Sequence, residues 1–163
     1  MQKENENQLS SIITQTMKIT GNLESDHLII VEGRITGNVS TLNNVETFIE
    51  SNIVGNIQAK SAMLGGKVKG NISCEQNISI DGNTLIEGDL IAKEITIAGS
   101  VIGNVTALET LKLKENAIVK GNIKCAIVSI DAGARIDGHF EMVQVKQLKS
   151  SEGLDEFEVQ DEA

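Results

Sequence analysis

A short pattern of apolar and polar residues recurs around glycine along most of the chain. Each copy reads apolar, any residue, Gly, polar, apolar, as in ITGNL at 19–23 and VKGNI at 68–72 and 119–123. The apolar residues before and after the glycine lie on one side of an extended chain, because side chains alternate along a strand. The eight repeat glycines are Gly21, Gly37, Gly55, Gly70, Gly88, Gly103, Gly121 and Gly138. Their spacing of 15 to 18 residues identifies a repeat protein.

A second pair of apolar residues, also two positions apart, occurs later in each unit. We expect these pairs to point inward: Leu28 with Ile30, Ala62 with Leu64, Ile78 with Ile80, Ile95 with Ile97, Leu111 with Leu113, Val128 with Ile130 and, more weakly, Val45 with Thr47. The residue four positions after each glycine is small in seven of eight units: Ser25, Thr41, Ala59, Cys74, Ala92, Ala107 and Cys125, against Met142 in the last. This period of two, with abundant Gly, Asn and Thr, favours strands over helices.

The pattern therefore predicts an all-β protein, a single-stranded parallel β-helix (solenoid) of about seven coils of 15–18 residues. The longer units gain one residue between strands and two in the later turn, which leaves the inward pattern intact. Stacked hairpins are the alternative, but every unit has the same polarity and the same turn residues. Seven coils at about 4.8 Å each give a rod of about 35 Å, whose two ends carry unpaired strand edges.

We divide the chain into a flexible N-terminal tail at 1–16, a β-helix domain at 17–147 and an acidic disordered tail at 148–163. Six of the nine net negative charges lie in 150–163, which we interpret as a solvated segment that binds a partner or opposes lateral clumping. The mixed apolar and hydroxyl residues at 10–19 predict either a strand-like lead-in or a weak membrane contact. The rest of the chain is nearly neutral along its length, which indicates no nucleic-acid partner.

Composition gives no sign of an enzyme, a cofactor or a metal. The chain has no Trp, Tyr or Pro and only three Phe, which is typical of a core built from uniform layers of aliphatic residues. Cys74 and Cys125 share the small position of the repeat, so we expect buried core residues, three coils apart and too distant for a disulfide. His27 and His139 lack a partner at metal-ligand spacing. With no apolar run of 18 residues, we expect a cytoplasmic protein.

Two further positions have more than one interpretation. The polar residue after the repeat glycine is usually Asn, which predicts a stacked amide ladder or a residue that holds a bend. Phe140 replaces the aliphatic residue of the last pentad. It either closes the end of the core or forms an end-on contact surface with Met142, Val143 and Val145.

The repeat array over about 17–145 resembles the bactofilins, a family of polymer-forming bacterial cytoskeletal proteins. The serial xGN[IVL] steps, the alternating apolar pairs and the closing IDGHFEM at 136–142 carry the resemblance. It implies a right-handed, roughly triangular β-helix that assembles end to end without nucleotide, often at the inner face of the membrane, to scaffold cell-wall proteins. It also implies subunit contacts at the first coil, with Ile19 and Leu23, and at the last, with Phe140. The N-terminal segment differs from the membrane-targeting leader of some members.

The favoured hypothesis is a self-assembling structural polymer, with itself and cell-envelope or cell-wall proteins as partners and the inner membrane face as a possible peripheral location. A non-polymerising adaptor is the first alternative. A hexapeptide-type acyltransferase is the second, but it requires uniform coils and a catalytic histidine in an inserted loop. Subunits with two different ends can join head to tail or in alternation.

Overall fold

The computed structural model describes residues 10–143, which contain nineteen strands and no helix. In chain order they are β1 (Ser10–Ile13), β2 (Lys18–Thr20), β3 (Leu23–Ser25), β4 (Leu28–Val31), β5 (Arg34–Thr36), β6 (Val39–Thr41), β7 (Asn44–Thr47), β8 (Asn52–Val54), β9 (Ile57–Leu64), β10 (Lys67–Lys69), β11 (Ile72–Ile80), β12 (Leu85–Glu87), β13 (Leu90–Ile97), β14 (Ser100–Ile102), β15 (Val105–Leu113), β16 (Ile118–Lys120), β17 (Ile123–Ile130), β18 (Arg135–Asp137) and β19 (Phe140–Met142). The all-β prediction is confirmed.

The strands wind into a solenoid with three strand segments in each coil. Face 1 follows each repeat glycine and contains β3, β6, the first halves of β9, β11, β13, β15 and β17, and then β19. Face 2 contains β1, β4, β7 and the second halves of the same five long strands. Face 3 is the separate eight-stranded sheet of β2, β5, β8, β10, β12, β14, β16 and β18. All pairings of the described strands are parallel, which confirms the solenoid over stacked hairpins, and each face has eight rungs where about seven coils were expected.

The solenoid begins earlier than the repeat pattern indicated. Strand β1 lies within the segment 1–16 and pairs in register with β4. Ile13 on this strand points inward and is only 3% exposed, so it extends the core by one layer on face 2. The remaining tail assignments fall on residues outside 10–143 and stay predictions, as does the right-handed winding.

The core is a stack of aliphatic layers, one layer for each coil. On face 3, every rung contributes its central Ile or Val: Ile19, Ile35, Ile53, Val68, Ile86, Val101, Val119 and Ile136. The six inner members of this row are at most 1% exposed. Burying each of these side chains contributes about 1.5–3 kcal/mol, so stability accumulates coil by coil.

One inward pair was assigned to the wrong residues. Ile29 and Val31 are fully buried, whereas Leu28 and Ile30 are only half-buried and face outward. The run LIIV contains no alternation, so the apolar pattern alone does not choose its phase. In the first coil two residues, Asp26 and His27, separate face 1 from face 2, whereas the assignment of Leu28 and Ile30 allowed for only one. The second residue moves the inward pair one position along the chain.

The predicted positions of the extra residues in long coils are confirmed. The 15-residue coil from Gly55 has one residue between face 1 and face 2 and two in the later corner, whereas the 18-residue coil from Gly70 has two and four. The two-residue corners contain Gly33, Gly66 and Gly99. A Cβ atom at each would lie within 2.6 Å of carbonyl oxygens of the four-residue turn in the preceding coil. Short corners therefore fit beneath long ones only with glycine at this position.

The repeat glycines allow the coils to approach each other. Gly103 has a φ of +150°, and a Cβ atom there would lie 2.0 Å from the carbonyl oxygen of Gly88. The same overlap, at 1.9–2.1 Å, recurs for Gly37, Gly55, Gly70, Gly88, Gly121 and Gly138. Gly21 also has a positive φ, +127°, but a Cβ atom there would meet no described atom within 4 Å, because it lies in the first coil. Stacking therefore requires glycine at seven of the eight positions, and backbone conformation favours it at the eighth.

Candidate assembly surfaces at the two ends of the solenoid

The strands of the first and last coils pair on one side only within residues 10–143. At the N-terminal end, β1, β2 and β3 pair with β4, β5 and β6 respectively, and with no other described strand. At the C-terminal end the same holds for β18, β19 and the second half of β17. Each end therefore presents three strand edges that no other described strand pairs with, and such edges are a template for pairing with another chain.

The C-terminal end exposes the last apolar layer of the core. Val128, Ile136 and Phe140 are half-buried and pack against the layer before them. Ile130 and Met142 follow buried residues of the preceding coil in register and are 48% and 53% exposed. The layer is thus covered on one side and open on the other within the described chain, and burying its open side would stabilise a partner contact.

Phe140 and Met142 continue two rows of the core. Phe140 is paired with Ile123, so the only aromatic residue of its row lies at the end of the rod. Met142 is paired with Cys125 in the row of small residues, which is buried from Thr41 to Cys125. A long side chain fits there because no described coil follows. Val143 is half-buried and its amide donates to the Cys125 carbonyl oxygen at 2.7 Å, whereas Val145 lies outside the described residues.

The N-terminal end is also apolar. Ile19 and Leu23 are half-buried and pack against the core, and Ile13 completes the layer. Leu23 occupies the first coil of the row that Phe140 ends. The two groups of predicted contact residues therefore lie at opposite ends of one rod, with the intervening coils between them, and can meet only between different chains.

The sequence interpretation missed part of the C-terminal surface. Val128, Ile130, Ala134 and Ile136 share it with Phe140 and Met142. A signal for them was available, because Val128, Ile130 and Ile136 are inward positions of the last repeat. Any inward residue of a terminal coil is a candidate end-contact residue, whether or not it is unusual for its row.

A row of polar side chains connects successive coils beside the repeat glycines. Asn56 Oδ1 accepts a hydrogen bond from the Asn71 amide at 2.9 Å, and equivalent bonds link each coil to the next. In chain order the row contains Asn22, Asn38, Asn56, Asn71, Asp89, Asn104, Asn122 and His139. In each bond a backbone amide donates to the side-chain oxygen of the coil before it, so the row is a ladder between coils and not a stack of side-chain amides alone. It ends at His139, whose backbone amide donates to Asn122 Oδ1 but whose side chain presents no carboxamide to a following coil.

The remaining candidate side chains do not form a reactive group. Within 10–143 there is no cluster of three His, Cys, Asp or Glu residues placed to hold a metal. Cys74 and Cys125 are free and buried, and they occupy the row of small residues as predicted. Burial raises the pKa of the Cys74 thiol to about 12 and also raises the pKa of Cys125, so both remain neutral and poorly nucleophilic at pH 7. No helix in the described part of the chain could cross a membrane.

Comparison with known proteins gives one match. The family model described as "Bactofilin: Polymer-forming cytoskeletal" matches residues 11–95 and 66–141 in two overlapping segments. Together the segments span the described solenoid from its first strand to its last. Neither the search of curated proteins nor the search of solved structures returned a match.

Proposed function

The chain belongs to the bactofilin family of polymer-forming cytoskeletal proteins, and we propose that it joins end to end, without nucleotide, into filaments. The observation that supports this most is that both ends of the described rod have strand edges without a described partner strand and, at the same place, an apolar layer that is covered on one side only. Joining two ends would satisfy backbone groups and bury Phe140, Met142, Ile19 and Leu23 in one step. No bound nucleotide is required, because the free energy comes from the contact itself.

Such a filament would act as a scaffold for proteins that shape the cell or build its wall. A solenoid of uniform coils presents the same three faces along its whole length, so partners could bind at regular intervals. We place the filament in the cytoplasm, including the inner face of the membrane. The primary partner is another copy of the same chain, and cell-envelope proteins are the expected second class of partner.

Negative-stain electron microscopy of Phe140→Arg tests the end contact. An arginine in this row places a charge in the open apolar layer, and we expect a folded rod that forms no filaments. Met142→Arg is the second variant, because Met142 is already 53% exposed and its replacement should not affect folding. Ile91→Arg is the matched control, since Ile91 lies on the same face, is 42% exposed and sits in the middle of the rod.

Circular dichroism and a thermal melt establish that each variant is folded. Filaments from wild-type protein and Ile91→Arg but from neither end variant would support the proposal. Normal filaments from folded Phe140→Arg and Met142→Arg would refute the end contact. Discrete particles from wild-type protein at all concentrations would favour the adaptor alternative.

A further inference from the structure

The solenoid sorts its charges by face, which is not visible along the sequence. Residues 10–143 contain eleven basic and fifteen acidic side chains. Six of the basic residues but only two of the acidic ones point outward from face 3. They are Lys18, Arg34, Lys67, Lys69, Lys120 and Arg135, against Glu87 and Asp137. Face 3 thus has a net charge of +4, while the other described residues together have −8.

The positive charge is concentrated in the first four rungs of face 3. Lys18, Arg34, Lys67 and Lys69 project from β2, β5 and β10, and these strands expose no carboxylate. Among the described basic residues, only Lys69 has an ion-pair partner, Glu87 at 4.0 Å, and these two side chains are 65% and 42% exposed. Parallel rungs about 4.8 Å apart place the cations in a strip of like charge, which favours an anionic ligand.

A shallow depression lies within this strip. It has a volume of about 270 Å³ and is lined by the apolar residues Val54, Val68 and Leu85 together with Asn52, Lys67, Lys69 and Glu87. Val54 is 45% exposed although its neighbours along the strand row are polar or charged. The surface therefore combines apolar side chains with two ammonium groups, of which Lys69 is also near Glu87, and it fits an apolar side chain that has carboxylates on both sides.

The chain itself contains a segment of that chemistry. Residues 150–163 include six carboxylates and no basic residue, and the stretch LDEFEV at 154–159 places Phe157 directly between Glu156 and Glu158. We propose that this acidic segment binds the basic half of face 3 of its own chain. Phe157 occupies the depression, and the flanking glutamates pair with Lys67 and Lys69.

The length of chain beyond the solenoid permits this contact. Phe157 lies fourteen residue steps beyond Val143, and this stretch spans up to about 46 Å when extended. Strand β10 lies four rungs from β18 at the C-terminal end of face 3, a distance of about 19 Å along the rod. The segment therefore reaches the strip with length to spare, without any need for a neighbouring chain.

We expect each ion pair of this contact to be weak, but the bound state of the whole segment to be populated. Exposed ion pairs contribute about 0–1 kcal/mol each, and they weaken as salt shortens the Debye length. The covalent link raises the effective concentration of the segment to the millimolar range, so an interaction of low intrinsic affinity can still form within one chain. The acidic segment would then cover the basic face of a rod whose other described residues are net acidic.

Tryptophan fluorescence of the full-length F157W variant tests the contact, because the natural chain contains no Trp and no Tyr. We expect blue-shifted emission and raised anisotropy at low salt. Both signals should be lost in F157W/K67E/K69E and on addition of high salt. The matched control is F157W/K93E/K112E, which makes the same change of charge at exposed lysines outside face 3 and should keep both signals.

Three outcomes would overturn the proposal. The first is an identical spectrum for the face 3 variant and the control variant. The second comes from carbodiimide cross-linking of a mixture of ¹⁴N-labelled and ¹⁵N-labelled protein. If the contact forms within one chain, every cross-linked peptide pair from Lys67 or Lys69 to the acidic segment carries a single isotope. Peptide pairs that combine ¹⁴N and ¹⁵N would assign the contact to different chains. The third is a solvent-exposed tryptophan in F157W together with sedimentation on anionic phospholipid vesicles that depends on Lys67 and Lys69, which would assign the strip to lipid.

Discussion

The interior coils and the terminal coils have the same sequence pattern but different surroundings. Ile53 in the third rung of face 3 is fully buried between two neighbouring coils, whereas Ile19 and Ile136 in the first and last rungs are half-buried. Gly103 lies against a carbonyl oxygen of the preceding coil, whereas Gly21 does not. Each repeat therefore forms a unit that is stable only through contact with its neighbours. A terminal unit has such a neighbour on one side, so its other side can still contact another molecule. The uncovered side of each terminal unit is the physical basis of the proposed assembly.

The largest expected difference is between two glycine-to-alanine variants. Gly103→Ala forces a Cβ atom to within 2.0 Å of the Gly88 carbonyl oxygen, so two coils must separate. Gly21→Ala meets only the strain of its positive φ, about 1–3 kcal/mol. We expect Gly103→Ala to lose at least about 2 kcal/mol more of the free energy of unfolding, measured by urea denaturation. Equal losses would mean that conformational strain, and not coil stacking, explains the glycine row.

A second comparison uses isoleucines of one row. Ile53→Ala leaves a cavity between two coils and should cost about 2–5 kcal/mol, whereas Ile136→Ala removes a side chain that is already partly exposed and should cost about 1 kcal/mol. Urea denaturation at a concentration below that of filament formation measures both. If Ile136→Ala is as costly as Ile53→Ala under those conditions, the last layer is covered by some other part of the chain.

The same pair of variants can be measured again after assembly. Polymerisation should bury Ile136 and leave the surroundings of Ile53 unchanged. The cost of Ile136→Ala should therefore rise when filaments are present, while that of Ile53→Ala should not. An unchanged cost would indicate that the filament contact does not include the apolar layer at the C-terminal end.

Much of the fold could be predicted from the sequence because stacking of the coils requires particular residue types at fixed positions of each repeat. The glycine spacing predicted the parallel solenoid, and the row of small residues predicted buried Cys74 and Cys125. The phase of LIIV could not be predicted, because four adjacent apolar residues fit either orientation. The early start at β1 was ambiguous too, since Ser10–Ile13 precedes the first repeat glycine and contains no turn residue to mark it.

The surfaces were harder to predict because they depend on residues distant in sequence. The proposed end-contact residues Ile19 and Leu23 came from the family resemblance, and Phe140 and Met142 from the unusual last coil, and they stay predictions. Ile136 was not included because it looked like an ordinary repeat residue. The basic strip was missed for a related reason. Lys18, Arg34 and Lys67 are 16 and 33 residues apart, with acidic residues between them, and they form one surface only after each coil turns those acidic residues to other faces.

The smallest expected effect separates the interior of the polar row from its end. Asn56→Ala removes the acceptor of the Asn71 amide, but this amide is exposed and water can replace the bond, so the cost should be about 0.5 kcal/mol. His139→Ala should cost nothing measurable, because the described hydrogen bond of His139 uses its backbone amide. Hydrogen exchange gives a sharper readout than denaturation, since the Asn71 amide should exchange faster in Asn56→Ala while the Asn104 amide stays protected by Asp89. Faster exchange at both amides would show that the ladder acts as one cooperative unit, and the end of the row would then matter as much as its middle.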